Sequence, residues 1–274
     1  VVGVRARLGV DHPLFQTQYA LLPLMGGGGL LHRRQLALLE GTHPRLQAPA
    51  SILPGVRDDA VYVAGVDLAG EAEEGLREGP AGLEDALLRG RKPRQDSTVV
   101  TIARLDFSGA SAALPEPRIE VVEHLWRTGV PHHQLLGELV ALLRDVWRCR
   151  RVLVDATGVG AGIASFLVRS LGPTVVQPFV FTTQSKSRLS FGLLAAVNAG
   201  RLKLYAADGS PEYRECRWEL ERARSAFRAN QTMNFFVDPA EGHDDFLMSL
   251  ALAVEAAAGY VPRAPRLARG RPME

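Results

Sequence analysis

The stretch "RRVLVDATGVGAG", Arg150 to Gly162, decides the fold. Its first half is a run of apolar and β-branched residues, Val152, Leu153 and Val154, that stops on the carboxylate Asp155. Its second half is a string of glycines and small residues that opens a helical pattern. The run from Arg151 to Asp155 reads as a buried strand and Gly158 to Leu171 as a helix. An acid at the tip of an otherwise apolar strand has three readings: part of a nucleotide loop, a helix cap, or a metal ligand.

A dinucleotide loop needs glycines spaced G-x-G-x-x-G. Gly158 and Gly160 fit, but the third slot holds Ile163, and no Gly-Lys-Ser/Thr follows anywhere in the chain. Asp155 would also face a docked pyrophosphate with like charge. A helix cap explains this stretch taken alone, with the glycines allowing close helix–sheet packing.

Two further sites call for a joint account. "VYVAGVDLAG", Val61 to Gly70, is another buried strand with an acid, Asp67, near its end. In "GHDDFLMSLALA", Gly242 to Ala253, Asp244 and Asp245 open a helix whose remaining residues are almost wholly apolar. Acids suit a helix N-terminus. Carboxylates gathered at the ends of buried elements, however, repel one another and are driven towards protonation unless a cation neutralises them. Hard oxygen ligands suit Mg²⁺ or Mn²⁺. If the first strand is central and pairs with the strand bearing Asp155, the last helix delivers Asp244 or Asp245 beside them. Such a set holds two cations, one generating hydroxide from water and the other stabilising the leaving oxygen of a phosphodiester.

The rest of the chain supplies the frame. "STVVTIARLDF" and "RIEVVEHLWRTG" read as antiparallel strands following the first. A helical face runs from Pro131 through Leu135, Leu139, Leu143 and Trp147. After the Asp155 unit come a strand at Thr174–Thr182, a helix at Ser185–Ala199 closed by Gly200, a short strand "RLKLY", a polar helix from Pro211 to about Arg228, a short strand "MNFFVDP", and the apolar helix His243–Ala258. The expected fold class is α/β, a mixed sheet in which an antiparallel meander leads into parallel strands, with helices on both faces. Residues 1–58 read as an irregular arm or linker with one helical piece near Arg33–Glu40, residues 59–258 as the folded domain, and residues 259–274 as a basic flexible tail. Glu71 to Ser97 reads as an inserted excursion with a short helix at Leu83–Arg89. The chain begins with Val1 and reads as part of something longer.

Composition narrows the classes. With 46% hydrophobic and 23% charged residues and a formal net charge of +2, nucleic-acid contact has to be local rather than global. Cys149 and Cys216 match no metal or redox spacing and fit a reducing compartment. No run approaches the roughly 20 apolar residues of a membrane span. Arginines cluster at Arg144, Arg148, Arg150 and Arg151 and at Arg214, Arg217, Arg222, Arg224 and Arg228; most read as solvated helix faces, some paired with Glu215, Glu219 and Glu221.

"VAGVDLAG", "VLVDATGVG", "TQSKSRLSFGLLAAVNAGRLKL" and "GHDDFLMSLALA", in that order, resemble the ribonuclease H-like nuclease domain of phage large terminase subunits, over about Tyr62 to Ala257. "HPLFQTQYALLPL" and "GGLLHRRQL" resemble the segment joining the motor ATPase to that nuclease. The resemblance implies endonucleolytic cutting of double-stranded DNA concatemers during viral genome packaging, in the cytoplasm of an infected bacterium. It implies two Mg²⁺ or Mn²⁺ ions held by Asp67, Asp155, Asp244 and Asp245, with Asp67 bridging, and Lys186 facing a DNA phosphate or the leaving oxygen. His243 would orient a ligand or phosphate, or be a plain surface histidine. The implied partners are DNA and, in a full-length motor, the ATPase domain, the small terminase subunit and the portal. A junction resolvase or transposase-like nuclease on the same fold, and a non-catalytic DNA-binding or assembly module, are the alternatives. DNA binding is expected to be weak, salt-sensitive and sequence-tolerant.

Overall fold

A computed structural model describes residues 2–10, 12, 15, 28–49, 60–69, 97–111, 114–158, 160–228 and 230–260. The excursion up to residue 96, with its expected helix, and the basic tail beyond Tyr260 lie outside these residues.

The elements run α1 (Val2–Leu8), β1 (Gly28–Gly29), α2 (Arg33–Leu38), β2 (Val61–Asp67), β3 (Ser97–Asp106), β4 (Arg118–Thr128), α3 (His132–Val140), β5 (Arg151–Asp155), α4 (Gly160–Leu171), β6 (Val176–Phe179), α5 (Thr183–Asn198), β7 (Leu202–Lys203), α6 (Pro211–Arg222), β8 (Arg224–Phe227), β9 (Met233–Phe236) and α7 (Asp245–Ala256). The main sheet has the order β6-β5-β2-β3-β4-β7. β2, β3 and β4 form the antiparallel meander, β5 lies parallel to β2 and β6 parallel to β5, and β7 lies parallel to β4. The mixed sheet is as the sequence suggests, and β2 is central.

Strand alternation divides the core into two layers. Tyr62, Ala64, Val66, Val152 and Val154 face α3 and α4, where Leu135, Leu139, Leu143, Trp147, Ile163 and Leu167 are buried. Val63, Leu153, Val99 and Ala103 face α5, α6 and α7. The helix α3 continues through a wider π turn at Ala141–Val146, which turns Leu143 and Trp147 inward; Trp147 packs 5.1 Å from Tyr62, ring to ring.

The closest packing is between α7 and β2. A Cβ on Gly65 would lie 2.0 Å from the carbonyl oxygen of Ser249 and 2.3 Å from the amide of Ala253, so only glycine lets the helix lie this near. The Thr101 hydroxyl lies 2.8 Å from that of Ser249, both fully buried. At the far end Arg151 donates to the carbonyls of Ala256 and Ala258, at 3.2 and 2.6 Å. The helix therefore runs along β2 with its first turn at the Asp67 end.

Three expectations need correction. The helix from Pro211 stops at Arg222, where Ala223 turns extended (ψ 131°). Arg224–Phe227 is instead a strand, paired antiparallel with β9 in a small sheet that also holds β1. Pairing there overrides helical propensity, and Phe227 packs on the core. Val2–Leu8 is a helix where no regular element is expected. The strand expected over Thr174–Thr182 is only Val176–Phe179, because Phe181 and Thr182 already form the entry to α5.

Candidate metal centre

Val66 is registered with Val154 in the parallel ladder, so Asp67 and Asp155, the next residue and the last of each strand, end side by side on the sheet. Neighbouring strands lie about 4.8 Å apart. Both acids share strand parity with Val63 and Leu153 and so face the α7 layer. Asp244 is the N-cap of α7 and Asp245 its first residue. The backbone N–H of Ser97, at the start of β3, donates to Asp245 Oδ2 at 3.3 Å.

The electrostatics bind these acids into one group. Asp67 is buried, and its carboxyl is held well above the usual carboxylate range, first by desolvation and then by repulsion from Asp245, Asp155, Asp244 and Glu219. Burial also raises Asp155, against the hydroxyl and N–H of Thr157 and the charge of Lys186, which favour the ionised form. The Thr157 N–H donates to Asp155 Oδ1 at 2.8 Å. Asp244 is raised by burial, against the attraction of Lys186, the backbone N–H of Val237 and the nearby His243. The half-buried Lys186 thus acts on both Asp155 and Asp244, with its Nζ 5.5 Å from the ring centre of Phe235 and 6.0 Å from that of Phe181. Beside it opens a cleft of about 100 Å³ lined by Lys186, Arg228, Thr182, Thr183 and Asn234 among others. Arg228 donates to the Thr183 hydroxyl at 2.9 Å.

Glu219 is the member the sequence hides. Read as a partner for helix arginines, it is instead 1% exposed on α6, and its Oε2 accepts the N–H of Leu247 in the first turn of α7 at 2.8 Å. Burial pushes its carboxyl up to about 10, and Asp245 and Asp244 add to the rise. The available signal was its place three residues after Cys216 and one before Leu220, both buried on the same stripe. The solvated pairing holds for Arg217, 3.4 Å from Glu221 on the next turn.

The donor chemistry fits a hard divalent ion: four carboxylates from three elements, one buried, with Lys186 the nearby cation. Among the described residues no three His, Cys, Asp or Glu side chains converge into a closed metal-binding group.

The glycines of "DATGVGAG" serve the backbone. Gly158 takes a left-handed φ of +57°, and a Cβ on Gly160 would stand 2.8 Å from the Asp155 carbonyl oxygen. They turn the chain tightly after Asp155 and leave its carboxylate at the strand tip.

No protein-family model and no curated protein matches the chain. Solved structures do. The large terminase nuclease from thermophilic phage G20c with bound magnesium superposes with a TM-score of 0.55 at 20% identity, over 85% of this chain and 98% of that one. The Thermus phage P74-26 large terminase nuclease domain gives 0.52 at 19% identity, over 82% and 94%. The HK97 bacteriophage large terminase gives 0.53 at 13% identity, over 89% of this chain and 47% of that one. The fold is that of large terminase nuclease domains, a ribonuclease H-like mixed sheet.

Proposed function

We propose that the chain is a divalent-metal-dependent endonuclease that hydrolyses double-stranded DNA in viral genome packaging. The observation that carries this reading is the buried Asp67, with Asp155, Asp244 and Asp245 repelling it from the adjacent strand and the facing helix. Buried carboxylates crowded in this way are unfavourable in a purely structural role and suited to share cations. The fold's likeness to the magnesium-bound nuclease of phage G20c supports the same chemistry.

In this reading Asp67, Asp155, Asp244 and Asp245 would hold two Mg²⁺ or Mn²⁺ ions. When bound, the ions supply an acidified water nucleophile and stabilise charge on the departing oxygen. The chain's own residues do the rest. The pairing of β2 with β5 sets the spacing of Asp67 and Asp155. The Gly65 contact fixes the depth of α7, and with it Asp244 and Asp245. Lys186 and Arg228 line the neighbouring cleft and receive backbone phosphates, with the Lys186 ammonium lying over the rings of Phe235 and Phe181. Residues 59–258 form the nuclease unit, residues 1–58 connect it to a motor ATPase, and residues 259–274 are a basic tail. In the motor, the small terminase subunit and the portal are the further partners.

Plasmid nicking tests the proposal. The 274-residue chain should nick supercoiled DNA with Mn²⁺ or Mg²⁺ and stop in EDTA, and Asp67→Asn and Asp155→Asn should each remove the activity while keeping the fold. Cutting that persists in EDTA or in both variants would overturn it.

A further inference from the structure

We infer that Glu219 is a positioning residue: it caps helix α7 in place of Asp244 and so leaves the Asp244 carboxylate to the acid group. This deepens the proposed function and rests on Asp244 being a metal ligand in it.

The first N–H groups of a helix have no partner within it, and an aspartate at the N-cap ordinarily accepts one from the third helical residue. Two other described helices follow that pattern with hydroxyl caps, and α2 does so with His32, whose ring accepts from Gln35 N–H. Thr182 accepts from Ser185 N–H at the start of α5, and Ser210 from Tyr213 N–H at the start of α6. Both caps are extended, with ψ of 168° and 153°. Helix α7 departs from the rule. Its N-cap Asp244 has φ −122° and ψ 22° and makes no side-chain capping bond. The third-residue N–H, that of Leu247, is taken by Glu219 from the neighbouring helix, 28 positions earlier.

The geometry explains why an acid from α6 is buried here. A carboxylate cannot both fold back on its own helix and face the strand tips. With Leu247 already satisfied, Asp244 turns to where Asp67 and Lys186 both feel its charge. Asp245 is tied separately, to the Ser97 N–H of β3. Each acid at this helix end is thus oriented by a different backbone group or substitute cap.

The test is a double-mutant cycle on the full chain, read in two ways. Calorimetric Mn²⁺ titration should give Glu219→Gln, which keeps an acceptor oxygen, an affinity within about threefold of the parent, and Glu219→Ala a loss of about tenfold or more. That loss should vanish when Asp244 is already alanine. Thermal unfolding in EDTA reads the cap swap without metal. Asp244→Ala should lower Tm by about 3 °C more in the Glu219→Ala background than in the parent, because Asp244 has there become the cap. If Glu219→Ala does not fold, Glu219→Leu, which fills the volume without an oxygen, replaces it in the cycle. Equal Tm losses in both backgrounds, or a Mn²⁺ defect that persists without Asp244, would overturn the inference. Absence of Mn²⁺ binding by the parent chain would instead sink the proposed function and leave the melting cycle to decide the cap.

Discussion

Thr101 of β3 and Ser249 of α7 bring their hydroxyls to 2.8 Å in a site with no solvent access, and Ser249 also donates to the carbonyl of Phe246 at 3.1 Å. The two ends of this bond are unequal. In Thr101→Val, Ser249 keeps Phe246, and the loss should be about 1 kcal/mol or less. In Ser249→Ala, the Thr101 hydroxyl loses that partner in the core, and the loss should be about 1–3 kcal/mol. Urea unfolding of the two variants should rank them in that order.

Gly65→Ala should be among the most damaging single substitutions in the chain. The added methyl would meet helix backbone at 2.0 and 2.3 Å, and backbone cannot rotate aside as a side chain does. Expected is a loss of at least about 3 kcal/mol, within the exceptional tail for one residue, or failure to fold. Gly158→Ala, where nothing crowds the methyl but φ is +57°, should cost only about 1 kcal/mol. Circular dichroism melts of the pair compare helix approach with backbone strain.

Asp67→Asn should separate stability from activity. It removes a buried carboxyl repelled by three neighbouring aspartates and Glu219, so the metal-free protein should melt no lower than the parent, and preferably higher. The rise in Tm that Mn²⁺ gives the parent should disappear. A variant less stable in EDTA, yet still stabilised by Mn²⁺, would contradict the electrostatic account of this acid.

Glu219 should contribute stability that falls with rising pH in the metal-free protein. The folded Glu219 carboxyl sits at about 10, against an ordinary value of 4.5. The folded state therefore holds a proton that the unfolded chain has released. Its contribution is complete below 4.5 and is lost as pH climbs towards 10. In Glu219→Gln the share of the slope owed to this group, at most about 1.4 kcal/mol per pH unit, should vanish, leaving the share owed to Asp67. Urea unfolding in EDTA between about pH 5 and 9 measures it. Mn²⁺ affinity should run the opposite way and strengthen with pH, because ligands must lose protons to bind.

Arg228→Ala should weaken DNA binding equally for all sequences. If Arg228 neutralises one phosphate, the slope of log affinity against log salt should become shallower by about 0.9. Fluorescence anisotropy across a salt series measures it. An unchanged slope would remove Arg228 from the DNA surface.

Much of this was legible in the chain. The strands β2 and β5 announce themselves because apolar runs end on an acid, and their central pairing follows from the change of a meander into helix-linked strands. The convergence of Asp67, Asp155 and the Asp244–Asp245 pair then needs only that α7, apolar nearly all round, be buried. What escaped depends on distant partners. Arg224–Phe227 carries no periodic signal and becomes a strand only because Met233–Phe236 pairs with it. Val2–Leu8 is a helix that packs on α5. Glu219 looks like any surface glutamate among arginines, until the helix end it caps is brought beside it.

The fastenings of α7 along its length, at Thr101, Gly65 and Arg151 among others, make that length a ruler. One residue added between Ser249 and Asp245 would swing the acidic end by about 100° and advance it by about 1.5 Å, off the strand tips. Loops elsewhere can change length without moving the acids, whereas a change of length between Asp245 and Ser249 would carry Asp244 and Asp245 away from Asp67 and Asp155.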